Sequence, residues 1–285
     1  MSEIAHHLAP TAQATPAAAP TTVTSRDGTR IAYTQTGTGA AVVLVDGPFG
    51  TRSRGPNAAL APLLAARFSV YHYDRRGSGD STATRPYAVE REIEDLAAVI
   101  DAAGGSASVY GISAGAILAL ETAARLPHKI AKLAIYEPPC VTDDSRKPFP
   151  NDYREQITNL VASGRRSAAV KLFMRDAAAM PALLITLTRL MPPVWRRLTD
   201  GADSLVTNAH VMGDTGSGRS LPLGRFAVDA PTLVVSGAKS PAWLQHTADA
   251  IATQLSHAMR ETLPGQRHDV NAAAIAPILT TFFAA

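Results

Sequence analysis

The chain has 285 residues, of which 46% are hydrophobic, and this suits one large α/β domain with an insertion or two small domains. Its net charge of +3 is too small and too scattered to indicate a nucleic-acid partner, so the basic stretches "GRRSAAVKLFMR" and "VWRRL" are interpreted as solvated helix faces. The single cysteine, Cys140, excludes an intrachain disulfide. No histidine and cysteine spacing indicates a metal site, and we expect no cofactor.

The chain begins with a segment rich in alanine, proline and threonine, and we predict that residues 1–20 form a disordered tail. This segment has no apolar run of signal-peptide length, and it starts with acidic rather than basic character. The sequence contains no stretch of 18 apolar residues, the length that a membrane-spanning helix needs. These features predict a cytoplasmic protein without a membrane partner, and they leave a monomer and a homodimer both open.

After the tail, predicted strands alternate with predicted helices. Two strands joined by an Asp27-Gly28 turn come first. A buried strand, "AVVLVDG", and a strand near 68–73 follow, and then an amphipathic helix that ends at Gly104-Gly105. The remaining strands are "ASVYG", "IAKLAIYEPP", "PTLVVSGA" and "RETLPG". This order predicts an α/β fold in which a mostly parallel eight-stranded sheet is covered by helices on both faces.

The segment between Val141 and Asp229 interrupts the alternation, because it contains no convincing buried strand. It holds helical stretches at 152–163, 166–179, 181–191 and 193–212, and it is too long for a loop. We therefore predict a helical cap, residues 141–225, inserted after the sixth strand. The core is then formed by residues 21–140 and 226–285.

A serine lies between two glycines in "GISAG", with a predicted strand before it and a predicted helix after it. A sharp turn from strand to helix strains the serine backbone and exposes its hydroxyl, and Gly111 and Gly115 leave room for that turn. The first helical amide, that of Ala114, is then free to donate to an oxyanion. Ser113 is thus a candidate nucleophile, and the alternative is an ordinary serine N-cap.

Four segments in this order resemble the α/β-hydrolase fold superfamily over roughly residues 21–285: "VVLVDGPFG", "YDRRGSGDS", "YGISAG" and "LPGQRHDV". The resemblance implies a general base in the loop after the last strand, where His268 lies, and open α/β sheets build their sites at this edge. A neutral imidazole there would take the proton of Ser113. The alternative for His268 is a histidine in a surface loop.

The acid that orients the base usually follows the seventh strand in this superfamily, but "SGAKSPAW" has no carboxylate. Some members, haloalkane dehalogenases among them, supply it after the sixth strand, where this chain has Glu137. We predict that Glu137 accepts from His268, and the alternative is a salt-bridged glutamate at a strand end. Asp143, Asp144 and Asp269 are weaker candidates.

The loop after the third strand commonly supplies the second oxyanion donor in this superfamily, but Pro48 has no N–H to offer there. We expect the N–H of Phe49 to substitute, with a bound water, Ser53 or Arg52 as alternatives. For Asp46, hydrogen bonds to backbone amides of this loop are preferred over a direct catalytic role.

The leading hypothesis is a serine hydrolase that cleaves a carboxylic ester, lactone or thioester of a small to medium apolar molecule through an acyl-enzyme. The residues predicted to line its substrate cavity are Pro48, Met174, Met180, Leu184 and Trp195. Alternatively, the cap residues among them only pack the cap against the core.

Two other functions stay open at this point. A lyase or cyclase of secondary metabolism could use Ser113 and His268 for proton transfer, which the incomplete oxyanion hole favours. A ligand-binding protein with an inactive triad is the third hypothesis, and the intact serine and histidine argue against it. Epoxide hydrolase and dehalogenase chemistry is disfavoured, because those relatives need an aspartate in place of Ser113.

Overall fold

A computed structural model describes residues 20–219, 221 and 225–285, so residues 1–19 of the predicted tail lie outside the described part. The described residues form one eight-stranded sheet. Its strands are β1 (Thr21–Thr24), β2 (Arg30–Thr36), β3 (Ala41–Val45), β4 (Ser69–Tyr73), β5 (Ala107–Ile112), β6 (Ile130–Tyr136), β7 (Thr232–Gly237) and β8 (Ala258–Leu263). The helices are α1 (Pro56–Leu64), α2 (Val89–Ala102), α3 (Ala114–Arg125), α4 (Tyr153–Ala162), α5 (Arg166–Leu172), α6 (Ala182–Arg189), α7 (Pro192–Asp200), α8 (Asp203–Met212), α9 (Ala242–Gln254) and α10 (Ala272–Ala284).

The sheet has the strand order β1-β2-β4-β3-β5-β6-β7-β8. The pairs β1–β2 and β2–β4 are antiparallel, and the other neighbours are parallel. The predicted mostly parallel eight-stranded sheet is therefore confirmed. Because β3, β5, β6, β7 and β8 are parallel neighbours, their carboxyl ends lie along one edge of the sheet, where a site can form.

Both faces of the sheet are buried, and successive strand residues alternate between them. In β3, Val43 and Val45 belong to a core with α2, α3, α9 and the cap, whereas Val42 and Leu44 belong to a core with α1 and α10. Burial on two faces explains why the central strands are continuous apolar runs rather than alternating ones. Helices on both faces are thus a consequence of the same sequence pattern.

The helices α4–α8 lie between β6 and β7 in the chain, and α8 packs on α3 of the core. The stretch predicted as one helix over 193–212 is two helices, α7 and α8, separated at Gly201. Glycine is a poor helix former, and a Cβ at Gly201 would lie 3.1 Å from a ring carbon of Phe49, so the break brings the cap against the core. In the described ranges, no helix has the length and apolarity to cross a bilayer.

A buried arginine ties the core to the cap beside the carboxyl edge. Arg75, after β4, makes two 2.6 Å hydrogen bonds to Glu92 of α2. Its remaining guanidinium nitrogen donates to the carbonyl of Asp46 at 3.1 Å and to the side-chain oxygen of Asn208 in α8 at 2.8 Å. Because a bidentate guanidinium pair fixes both distance and orientation, this network holds the end of β3 and the cap helix in register.

Candidate active site

The turn around Ser113 has the geometry of a strained strand-to-helix connection. Ser113 lies between the end of β5 and the start of α3, with φ of 58° and ψ of −131°. A Cβ at Gly111 would lie 2.5 Å from the carbonyl oxygen of Gly115, and one at Gly115 would lie 2.4 Å from that of Val45. The two glycines therefore permit close contact between the turn, the helix and the neighbouring strand. A non-glycine residue in this rare conformation is typical of a functional site.

The packing of Gly115 leads to a stability prediction. Gly115→Ala is expected to lower the free energy of unfolding by about 3 kcal/mol, because the methyl group meets backbone oxygens that cannot rotate away. Gly28→Ala is the control, since its Cβ meets nothing within 4 Å, and the positive φ there costs about 1 kcal/mol. Urea unfolding of both variants measures the difference, and equal losses would contradict the close packing.

His268, Ser113 and Glu137 form one hydrogen-bonded chain across the carboxyl edge of the sheet. His268 Nε2 lies 3.1 Å from Ser113 Oγ, and His268 Nδ1 lies 2.8 Å from Glu137 Oε2. The three residues come from the ends of β8, β5 and β6, which converge because these strands are parallel. The structure thus brings together the nucleophile, base and acid candidates named from the sequence. The arrangement is able to pass the serine proton to an imidazole of fixed orientation.

Glu137 is completely buried, and its carboxylate has a partner for each oxygen. Oε2 contacts His268, and Oε1 accepts from the backbone N–H of Gly237 at 2.7 Å. Its backbone is also unusual, with φ of 44° and an N–H that donates to the carbonyl of Val235 at 3.1 Å. These contacts with β7 compensate for burial of the charge and hold the carboxylate toward the imidazole.

The other carboxylates considered for the acid lie elsewhere. Asp143 Oδ2 is 2.5 Å from Nδ1 of His246, a half-exposed pair away from Ser113, and Asp144 is exposed. Asp269 lines the same cavity as His268 but is exposed. Among the described residues, none of the three contacts His268 by a hydrogen bond.

The oxyanion side of the site differs from the expected arrangement. The N–H of Ala114 begins α3 and has no acceptor among the described residues, so it is free. The N–H of Phe49 instead donates to Oγ of Ser204 in the cap helix α8 at 3.1 Å, and Phe49 has φ of 62°. The phenyl ring packs edge-on against Phe173 of the cap, with ring centroids 5.4 Å apart. The amide that was expected to replace the donor lost at Pro48 therefore already donates a hydrogen bond to the cap.

The alternative donors from the same loop are also engaged. The guanidinium and the backbone N–H of Arg52 both donate to Asp74, at 3.0 Å and 2.7 Å. The hydroxyl of Ser53 is 3.3 Å from that of Thr51. Neither Arg52 nor Ser53 lines the cavity that contains Ser113. Of the oxyanion donors predicted from the sequence, the amide of Ala114 is therefore the one with no acceptor among the described residues.

Asp46 was expected to bond backbone amides of its loop, but its carboxylate contacts a histidine. Asp46 Oδ2 lies 2.7 Å from Nε2 of His72 in β4, and both side chains are almost completely buried. Burial raises the pKa of Asp46 above its usual value, although His72 opposes the shift. His72 lies within β4 and was not among the residues predicted for the site. A polar residue two positions after buried Val70, on the same strand face, was the signal that could have found it.

A cavity of about 650 Å³ opens above Ser113 and His268. Its walls from the cap are mainly apolar. They come from the start of α4, the π-helical turn Phe173–Ala177 that continues α5, and the inner face of α8. The main apolar side chains of these walls are Phe149, Tyr153, Phe173, Leu205, Ala209 and Met212.

The predicted lining is corrected by the structure, because Pro48 lines this cavity and the other four residues do not. Met174 is buried among the cap helices, and Met180 is half-buried against them. Leu184 lies on the outer surface, and Trp195 Nε1 donates to Oγ of Ser167 at 3.2 Å. The physical reason is rotation: the helical turn directs Phe173 inward and its neighbour Met174 into the cap.

Known proteins resemble this chain in sequence and in structure. The pimeloyl-[acyl-carrier protein] methyl ester esterase of Neisseria meningitidis serogroup C is 29% identical over 190 residues, which cover 63% of this chain and 68% of that protein. An alpha/beta hydrolase from Sphaerobacter thermophilus is 47% identical with a TM-score of 0.84, covering 92% of this chain and 100% of that one. A hydrolase from Pseudomonas aeruginosa is 24% identical with a TM-score of 0.70, covering 94% and 100%.

The family match extends over most of the described core and cap. Residues 40–278 match the sequence profile of the alpha/beta hydrolase family, a range that contains the turn at Ser113, Glu137 and His268. The sheet order and the insertion of helices between β6 and β7 agree with this match. The chain belongs to the alpha/beta hydrolase family.

Proposed function

We propose that the protein is a serine hydrolase that cleaves a carboxylic ester, lactone or thioester of a small to medium apolar molecule. One observation carries the proposal: the hydrogen-bonded chain from Ser113 through His268 to buried Glu137 lies at the base of an apolar cavity. A serine, an imidazole and a carboxylate in this order are the parts that acyl transfer requires.

The reaction proceeds in two steps in this proposal. Ser113 Oγ attacks the substrate carbonyl while His268 Nε2 takes the hydroxyl proton, and His268 then returns that proton to the leaving alcohol or thiol. A water molecule next attacks the acyl-serine and gives a proton to His268, which passes it to Ser113 Oγ as the acyl C–O bond breaks and the acid product leaves. Glu137 accepts from Nδ1–H throughout, so it fixes the tautomer and stabilises the imidazolium.

The oxyanion is held by the free N–H of Ala114 in this mechanism. The N–H of Phe49 joins it only if it leaves Ser204. Loss of one oxyanion donor typically lowers kcat by about 10²- to 10³-fold. We therefore expect slow turnover for as long as the cap holds Phe49.

The substrate class follows from the cavity and from the esterase relative. A volume of about 650 Å³ is within the ordinary range for small-molecule sites, and its walls are largely aromatic and aliphatic. The Neisseria relative is named as an esterase of a methyl ester, which supports ester cleavage as the reaction class for this chain. We expect an acyl chain of several carbons to lie against the wall formed by α8.

Substrate length is expected to depend on Ala209, which is buried in α8 and lines the cavity. Ala209→Phe should raise KM for p-nitrophenyl hexanoate about tenfold, because the phenyl ring takes space used by the acyl chain. KM for p-nitrophenyl acetate should stay within about threefold, since the short acyl group remains beside Ser113. Steady-state kinetics on both esters check this, and equal effects on the two would contradict the assigned wall.

The proposed class is tested with a series of p-nitrophenyl esters from acetate to octanoate. Hydrolysis with a preference for the middle of the series is the expected result. Absence of turnover on every ester and thioester tested would contradict the proposal.

A second candidate, proton-transfer chemistry of a lyase or cyclase, is favoured by one observation. Pro48 has no N–H, and the N–H of Phe49 donates to Ser204 Oγ. The oxyanion hole for a tetrahedral intermediate is therefore incomplete. A fluorophosphonate probe separates the two. Labelling of Ser113 together with ester turnover supports acyl transfer, whereas labelling without turnover supports the second candidate.

A further inference from the structure

The cap carries an apolar helix face that points away from the rest of the molecule. Five large apolar side chains of α6 and the two residues after it have between 48% and 72% of their surface exposed. This leucine face consists of Leu183, Leu184, Leu187, Leu190 and Met191. By contrast, Ile185 of the same helix is 4% exposed. Exposed apolar side chains concentrated in one short segment are unusual on a protein surface and mark an interaction site.

The arrangement around the helix axis separates the leucine face from the packed side. With 3.6 residues per turn, its five members lie within an arc of about 120°, and Ile185 lies on the opposite side of the helix. Ile185 therefore anchors α6 to the cap, and α6 packs against α7 and the π-helical turn. Packing among the described residues does not account for the leucine face, since its side chains are exposed.

The part of the cap sequence that contains this face is rich in basic residues, of which Arg166 and Arg175 are paired with Asp203 and Asp176. Residues 165–199 contain seven arginine or lysine residues and one acidic residue, an excess of six positive charges, whereas the whole chain has a net charge of +3. Arg189 at the end of α6 and Arg196 and Arg197 within α7 are exposed, and residues 177–199 contain no acidic residue. The partner of this surface is therefore expected to combine apolar and negatively charged groups.

We propose that the leucine face and its flanking arginines dock the cap on an anionic lipid surface. Exposed leucines next to arginines are the composition of a helix that lies in a bilayer interface. A second copy of the chain is less favoured, because a two-fold contact through this face would bring like charges together. Nucleic acid would use the arginines but not the leucines. The eight residues of α6 are too few to span a bilayer, so the contact is interfacial. It departs from the expectation of no membrane partner, which rested on the lack of a spanning segment.

The position of this surface connects it to the cavity. Ala177, Ala178 and Ala179 line the cavity and end two residues before α6 begins. A docked cap would place the cavity beside the lipid phase, from which an apolar ester could enter. This consequence rests on the proposed ester hydrolysis, whereas docking itself does not.

Vesicle flotation of the full chain tests the docking. The protein is expected to float with phosphatidylcholine vesicles that contain about one third phosphatidylglycerol, and much less with pure phosphatidylcholine. The double variant Leu183→Ser with Leu187→Ser should weaken vesicle binding by about tenfold or more. The double variant Arg196→Gln with Arg197→Gln should weaken it by about fivefold for each charge removed. Leu63→Ser is the matched control, because Leu63 is 44% exposed on α1 of the core.

Three results would overturn the proposal: no binding to anionic vesicles, equal binding to neutral ones, or equal binding by the leucine variant. A dimer in light scattering that the leucine variant converts to a monomer would also overturn it, by assigning the face to self-association. Circular dichroism and thermal unfolding of the variants show that they fold. Vesicle binding by a protein with no esterase activity would support docking and contradict the proposed hydrolase function. Failure of the docking proposal and failure of the proposed function are therefore distinguishable.

Discussion

Replacing Ser113 by alanine is expected to lower kcat for a p-nitrophenyl ester by about 10⁵- to 10⁶-fold, with little change in KM. Ser113 Oγ is the atom that forms the acyl bond in the proposed mechanism, and His268 has no other hydroxyl within hydrogen-bond distance among the described residues. The cavity walls are unchanged by this substitution, so substrate binding should persist. Initial rates on p-nitrophenyl butyrate measure the loss.

Ser53→Ala is the control for this result. Ser53 lies in the loop after β3 and was an alternative oxyanion donor, but its hydroxyl contacts Thr51 and it does not line the cavity. Its kcat should stay within about threefold of that of the unaltered protein. Retained activity in Ser113→Ala would show that another group performs the reaction.

Replacing Glu137 by glutamine is expected to lower kcat by about 10³- to 10⁴-fold while KM changes little. Glutamine keeps the volume of the side chain but has one oxygen in place of two, so Gly237 N–H and His268 Nδ1–H then compete for that single acceptor. The imidazole loses the carboxylate that stabilises its charged form. Steady-state kinetics, with thermal unfolding to show that the variant folds, check this expectation.

Asp143→Asn is the matched control for the acid, because Asp143 also pairs with a histidine, His246, but away from Ser113. Its kcat should stay within about threefold. If Asp143→Asn lowered kcat as strongly as Glu137→Gln, or if Glu137→Gln were fully active, the assignment of the acid after β6 would fail.

Much of the fold was predictable because its signals are local. The central strands are continuous apolar runs, and glycines end the strands and helices around them, so the alternation of elements could be read in order. The triad candidates could be predicted from the sequence for a related reason. Ser113 and Glu137 directly follow β5 and β6, His268 lies in the loop after β8, and parallel strands bring their carboxyl ends to one edge.

The cavity walls could not be predicted in this way. Which side chain of a cap helix faces the cavity depends on the rotation of that helix, and the π-helical turn over Phe173–Ala177 shifts the phase that an α-helix would give. Met174 and Met180 were therefore placed in the lining, whereas Phe173 and Ala177 occupy it.

Two further contacts could not be predicted from the sequence because each joins residues that are separated in the chain. Phe49 and Ser204 are 155 positions apart, and their hydrogen bond depends on how the cap docks on the core. Asp46 and His72 face each other because β3 and β4 pair in a particular register, with Leu44 opposite His72. Neither the packing of the inserted helices on the sheet and its helices nor a strand register is determined by local pattern alone.

The central claim, covalent catalysis by Ser113, is tested most directly by the mass of the protein during turnover. The protein is mixed with an excess of p-nitrophenyl butyrate, quenched in acid within one turnover, and its intact mass and peptide masses are measured. A butyryl adduct on the peptide that contains Ser113, absent from Ser113→Ala, is the predicted result. Turnover with no adduct at any time, or an adduct on another residue, would contradict the account.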